Sequence, residues 1–176
     1  LYRKVRHITL PKVHVPVWGT YVTTPHIGKE HAVVSVRTKI EGVEKGSAVT
    51  LKTRILDAGG HAVACVTDTR LLHFGEIEQT LTVENPTLWS PEDPVMYFAE
   101  TEVYTGGSVN TDWNMDRPEI SIADGTVPCD KVSTRFGFRT IEIIPDKGFF
   151  LNGEARKFRG VCLHHDLGPL GAAINK

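Results

Sequence analysis

Near the end of the chain, the apolar run Val161-Cys162-Leu163 gives way to His164-His165-Asp166. Titratable groups at the end of an apolar strand are where barrel and doubly wound enzymes place ligand contacts, so this run is the first candidate for chemistry. A metal reading of it is poor. Adjacent residues of an extended strand point to opposite faces and chelate one ion badly, and no partner ligands stand at helical offsets nearby. A second candidate is the acidic stretch 106–131, where Asp112, Asp116, Glu119, Asp124 and Asp130 lie among Gly, Pro, Asn and Ser. A calcium loop needs carboxylates at regular short offsets around a central glycine, and this spacing is too loose, so the stretch reads as an insertion loop. Three cysteines (Cys65, Cys129, Cys162) are unevenly placed and make neither a disulfide framework nor a zinc site. They do not specify a compartment. No metal and no cofactor is expected. A sugar-binding face needs several aromatics together, but Trp18, Trp89 and Trp113 fall in different segments.

The elements that must position these residues are strands. The chain has 176 residues, 40% of them apolar, enough for one ordinary domain with pieces of its neighbours. A net charge of −1 with mixed signs argues against a nucleic-acid partner, and no apolar run approaches the ~20 residues that would cross a membrane. Residues 1–10 alternate apolar with polar and read as a strand, followed by a crossover framed by Pro11 and Pro16. Val13–Val22 reads as the first strand of the next domain. Ala32, Val34, Val36, Thr38 and Ile40 alternate with His31, Ser35, Arg37 and Lys39, a strand with one wet face. Val49, Leu51, Thr53 and Ile55 repeat the pattern up to Asp57-Ala58-Gly59-Gly60, a hairpin signal. Residues 62–66, 81–83, 96–104 and 132–138 add further strands. No segment carries an apolar stripe at helical spacing. The three prolines Pro86, Pro91 and Pro94 exclude the interior of a sheet, so residues 83–94 read as an ordered crossover, with the ring of Trp89 expected to plug the open end of the fold. Asn152-Gly153, between apolar flanks, predicts a two-residue turn and a hairpin of Phe149–Leu151 against Glu154–Phe158. The expected fold is all-β, an immunoglobulin-like antiparallel sandwich.

Three strings in order carry a resemblance. Phe150-Leu151-Asn152-Gly153 with Arg159-Gly160-Val161, Asn85-Pro86-Thr87-Leu88-Trp89-Ser90-Pro91-Glu92 with Met96-Tyr97, and Arg135-Phe136-Gly137-Phe138-Arg139-Thr140-Ile141-Glu142 are similar to motifs of glycoside hydrolase family 2, the β-galactosidases, β-glucuronidases and β-mannosidases. The run Leu163–Gly171 looks like a variant from a bacterial β-galactosidase-like branch, with His165 replacing an acidic residue. The resemblance implies three parts. Residues 1–12 would be the last strand of a jelly-roll sugar-binding domain, 13–145 the sandwich, and 146–176 the hairpin and first strand of a (β/α)8 catalytic barrel. It implies a carbohydrate substrate for the parent enzyme, contacted by His164 and Asp166. It implies no catalytic residue within this segment, because the two glutamates of a retaining mechanism stand on later barrel strands and a barrel needs about 250 residues. The expected partners are the rest of the parent chain and its substrate, with the sandwich orienting and supporting the barrel. The alternative is an independent carbohydrate-binding or adhesive sandwich.

Overall fold

The structure, a computed structural model, describes residues 5, 7–71, 75–105 and 126–162. Seven of its strands make two antiparallel sheets: β1 (Thr20–Ile27), β2 (His31–Lys39) and β5 (Glu76–Glu84) in one, and β3 (Ala48–Leu56), β4 (Ala62–Leu71), β6 (Tyr97–Thr105) and β7 (Asp130–Phe136) in the other. The strand orders are β1-β2-β5 and β4-β3-β6-β7. This is the expected immunoglobulin-like sandwich. A third, smaller sheet of β8 (Ile141–Ile144), β9 (Gly148–Leu151) and β10 (Glu154–Arg156) follows the last sandwich strand.

Alternation explains the layers. On β2 the buried side chains are Ala32, Val34, Val36 and Thr38, and on the paired β5 they are Ile77, Gln79, Leu81 and Val83. From the opposite sheet Val49, Leu51, Thr53 and Ile55 of β3 meet them, beside Tyr97, Ala99, Thr101 and Val103 of β6. A polar layer divides this core. Thr53 Oγ1 donates to Gln79 Oε1 at 2.6 Å and lies 2.9 Å from Thr101 Oγ1, while Gln79 Nε2 donates to the Leu51 carbonyl at 3.2 Å. Ala32, Val34, Val36, Ile55, Leu81 and Ala99 belong to the apolar cluster on one side, and Val15, Ile40, Val49, Leu51, Ile77 and Val103 to that on the other. Removing a buried branched side chain such as Ile55 should cost about 2–5 kcal/mol.

Phe138, with no exposed surface, closes the first cluster, packed edge-on against Tyr97 at 4.8 Å and Phe136 at 5.2 Å between ring centroids. Trp89, expected in that role, is only half-buried and lies outside this cluster. The reason is the crossover's path. The Thr87 amide donates to the Tyr97 hydroxyl at 3.0 Å, and two residues on Trp89 lies against Gly137 and under Arg139 rather than within the cluster.

The segment 13–19 also differs from its expected strand, since β1 begins at Thr20. Pro16 has no amide hydrogen to pair, and its carbonyl accepts the Gly19 amide at 2.8 Å in a tight turn that carries Trp18 at φ 65°. Val15 nevertheless points into the core, tied there by its amide donating to Asp130 Oδ2 at 2.8 Å. At the other end, Val161 and Cys162 form no strand, and Val161 is 92% exposed. Residues 5 and 7–10 likewise lie outside any regular pairing.

Candidate functional site: the joint between sandwich and hairpin

His164 and Asp166, with His165, lie outside the described residues, as does the acidic stretch from Asp112 to Asp124. Among the described residues no three His, Cys, Asp or Glu side chains come together as a metal site. What the structure brings together is the crossover, the segment after β7 and the hairpin, three stretches far apart in sequence.

The hairpin turns as its sequence dictates: Asn152 at φ 52° and Gly153 at φ 78° are the two positive-φ residues of a two-residue turn, and Leu151 pairs with Glu154 across it. Asn152 does more than turn the chain. Its backbone amide donates to the Thr140 carbonyl at 3.0 Å, its side-chain Oδ1 accepts the Thr140 amide at 3.0 Å, and its Nδ2 donates to the Trp89 carbonyl at 3.0 Å. Trp89 is in turn fixed to the sandwich, because its amide donates to the Phe138 carbonyl at 2.8 Å and Leu88 bridges Phe138 in parallel register. Gly137 makes the approach possible, since a β-carbon there would stand 2.9 Å from Trp89 Cβ. The Arg139 guanidinium stacks over the indole at 5.1 Å.

A charged clasp lies beside this joint. Arg156 of β10 grips Glu92 of the crossover with two parallel contacts, Nη1 to Oε1 at 2.6 Å and Nη2 to Oε2 at 3.2 Å, and also reaches Glu154 at 3.0 Å. The hydrogen bond from Arg156 holds the Glu92 carboxyl below the usual glutamate range, and the same bond raises the guanidinium above its own. Planar two-point pairing fixes orientation as well as distance. The arrangement can hold the hairpin at a set angle to the sandwich, and its carboxylates are engaged by Arg156.

A second cluster with two neighbouring carboxyl groups is on the outer face of the larger sheet. Glu100 and Glu102 of β6 share Arg54 of β3, which contacts Glu100 and lies 2.9 Å from Glu102, and Lys131 of β7 at 3.0 and 3.4 Å. Burial pushes the Glu102 carboxyl up, but the hydrogen bond from Tyr104 and the charges of Arg54 and Lys131 outweigh it, and the group sits below the usual range. The Glu100 hydrogen bond, first among its contacts, raises Lys131. An acid catalyst needs a carboxyl held protonated near neutrality, the opposite shift. These four side chains therefore compensate one another's charge and bind the three strands together. Sequence reasoning missed them because Arg54, Glu100, Glu102 and Lys131 each sit on the wet side of an alternating strand; only the register places them side by side.

Comparison with known proteins places these features in a family. The model of "Glycosyl hydrolases family 2" matches residues 13–116. The "Beta-galactosidase BoGH2A" of Bacteroides ovatus is 34% identical over 179 residues, covering 99% of this chain and 19% of that protein. A "Putative beta-glucuronidase" of Formosa agariphila is 33% identical, covering all of this chain and 15% of its own length. Among solved structures, a glycosyl hydrolase family 2 member from Bacteroides cellulosilyticus superposes with a TM-score of 0.72 at 31% identity, over 94% of this chain and 19% of that one. The chain thus spans less than a fifth of the length of these relatives.

Proposed function

The chain belongs to glycosyl hydrolases family 2, and from that membership we propose that it is the non-catalytic sandwich portion of a longer retaining β-glycosidase of β-galactosidase type. In this reading residues 1–12 end a jelly-roll domain, 13–145 form the sandwich, and 146–176 carry the chain into a (β/α)8 barrel. The sandwich orients and supports that barrel. His164 and Asp166 contact the sugar in the intact enzyme, and the two catalytic carboxyl groups, about 5–5.5 Å apart in a retaining enzyme, stand on later barrel strands.

The observation that carries the proposal is the joint at Asn152. Both polar atoms of its amide and its backbone amide are committed to the sandwich side, through Trp89 and Thr140, while its turn defines the hairpin. A hairpin welded in this way transmits the orientation of the sandwich to whatever follows it. Despite its burial, the Glu102 carboxyl is held below the usual glutamate range by Tyr104, Arg54 and Lys131, shifted away from what a general acid needs. A free-standing glycan-binding module, by contrast, wants aromatic rings gathered on one open face. Here Trp89 is pinned under Arg139 against Gly137, whereas Trp18 stands on the turn before β1.

The test compares residues 1–176 with the full-length protein on chromogenic β-galactosides, β-glucuronides and β-mannosides. Turnover by the full-length protein with none by residues 1–176 is the expected result. Turnover by residues 1–176 that survives repurification would refute the assignment of a supporting role, and saturable binding of a glycan by the same segment would favour the independent module.

A further inference from the structure

Along one side of the sandwich, β1 and β7, the outermost strands of different sheets, face each other without pairing. Two cavities of about 480 and 450 Å³ open there. Val17 and Trp18 border the first, Met96, Arg139 and Ile141 border the second, and Arg135 lines both, so the two form one groove along the seam.

Three features of the groove are unexplained by the sandwich itself. Trp18 is 96% exposed and sits at φ 65°, a conformation that glycine or asparagine normally takes at this position of a turn. A strained backbone that holds a large apolar ring in water points to a role outside the sandwich's own packing. Arg135 and Arg139, like Arg159, form no ion pair among the described residues, whereas Arg37, Arg54, Arg70 and Arg156 do; Arg139 stacks on the Trp89 indole, which leaves its in-plane N–H groups without a carboxylate. Both walls are strand edges with a row of unpaired backbone N–H and C=O groups.

We propose that this groove seats an extended, acidic segment of the same polypeptide from outside residues 1–176, which pairs with a free strand edge, presents carboxylates to Arg135 and Arg139, and covers Trp18 with an apolar side chain. Free edges recognise extended backbone, and guanidinium groups that meet no carboxylate among the described residues select one. The occupant belongs to the same chain because the relatives carry more than four-fifths of their length beyond the matched region, and because Ile141 at the end of the groove is the first residue of β8, through which the chain leaves the sandwich. A neutral sugar would stack on Trp18 but leave Arg135 without a counter-charge and both edges unused. The inference rests on the reading of this chain as part of a longer enzyme.

The experiment places a photoreactive residue in the full-length protein, Trp18→p-benzoylphenylalanine, and maps the crosslinks by mass spectrometry after irradiation. An adduct within the same chain, to a segment outside residues 1–176 that contains or adjoins Asp or Glu, is the expected result. Arg135→Glu combined with Arg139→Glu should lower its yield by at least about tenfold, the equivalent of one hydrogen bond to a charged group. Crosslinks to a second copy, crosslinks confined to residues 1–176, or protection by a soluble oligosaccharide without any intrachain adduct overturns the proposal; should the double variant not fold, the adduct map alone decides. Glycosidase assays on the same preparation separate the two readings, since an active protein without the adduct refutes the groove, and an inactive one with it refutes the enzyme.

Discussion

Asn152 combines two properties that no other side chain supplies together: tolerance of positive φ and an amide that donates and accepts at once. Asn152→Gly keeps the turn and removes both side-chain bonds, and at about 0.5–1.5 kcal/mol for each bond it should weaken the joint by about 1–3 kcal/mol. The loss should appear as faster proteolysis across residues 144–160 with little change in the protection of β2 and β3; unchanged cleavage would mean that the amide holds nothing. The dipeptide Asn152-Gly153 announces its turn in the sequence, but its reach to Trp89 does not, because that contact spans 63 positions. Trp18 is the reverse case, a residue type that gives no turn signal on a backbone that demands one. For His164, the family resemblance places a sugar contact at the end of a barrel strand. His164→Ala in the full-length enzyme should therefore lower kcat/KM by roughly 10- to 100-fold, as a lost polar contact of about 1–3 kcal/mol allows, and wild-type kinetics would remove it from the substrate site.

Clean alternation in residue order makes β2 legible along its length, and β5 only over residues 81–83. In β2 and β5 every inward residue is apolar, Thr38 and Gln79 apart, and every outward one is polar apart from the half-exposed Val33. Val13, Val15 and Val17 show the same alternation without being a strand: only Val15 is buried and Val17 is exposed, because the turn at Pro16–Gly19 takes the chain out of the extended path that period-two apolarity presupposes. Ile141–Ile144 lacks alternation, with Ile141, Glu142 and Ile143 all exposed, so β8 had no such signal of its own. At this scale the outer face of β3, β6 and β7 gives a pH prediction. The folded-state pKa of Glu102 lies below its unfolded value, so its contribution to stability is complete above the ordinary glutamate pKa and is lost as pH falls through the lower, folded value. Glu102→Gln should reduce stability near neutrality and flatten the acid limb, converging with the unmodified protein once pH falls below the folded-state value. Urea midpoints measured from neutrality down into the acid limb test this, and parallel pH curves for the two proteins would show that Glu102 is not part of the linkage.

Across the whole molecule, two apolar clusters are joined by a polar layer, and the two sheets meet through Gln79. Two substitutions in that layer should have opposite signs. Thr38 is fully buried on β2, and its hydroxyl has no partner among the described residues. Its desolvation is therefore uncompensated, and Thr38→Val, which replaces the hydroxyl with a methyl group of similar size, should stabilise the fold by about 1 kcal/mol. Gln79 accepts from Thr53 and donates to the Leu51 carbonyl and, at 3.3 Å, to Asp68. Gln79→Leu leaves those groups buried without it and should cost about 1–3 kcal/mol, and more where the Asp68 carboxylate loses its donor. The two positions lie on neighbouring strands of one sheet but share no hydrogen bond, so the double substitution should show an interaction energy below about 0.5 kcal/mol. Denaturant unfolding of the three variants measures all of this. A destabilised Thr38→Val would mean that its hydroxyl does find a partner, in which case the layer is one connected network across both sheets.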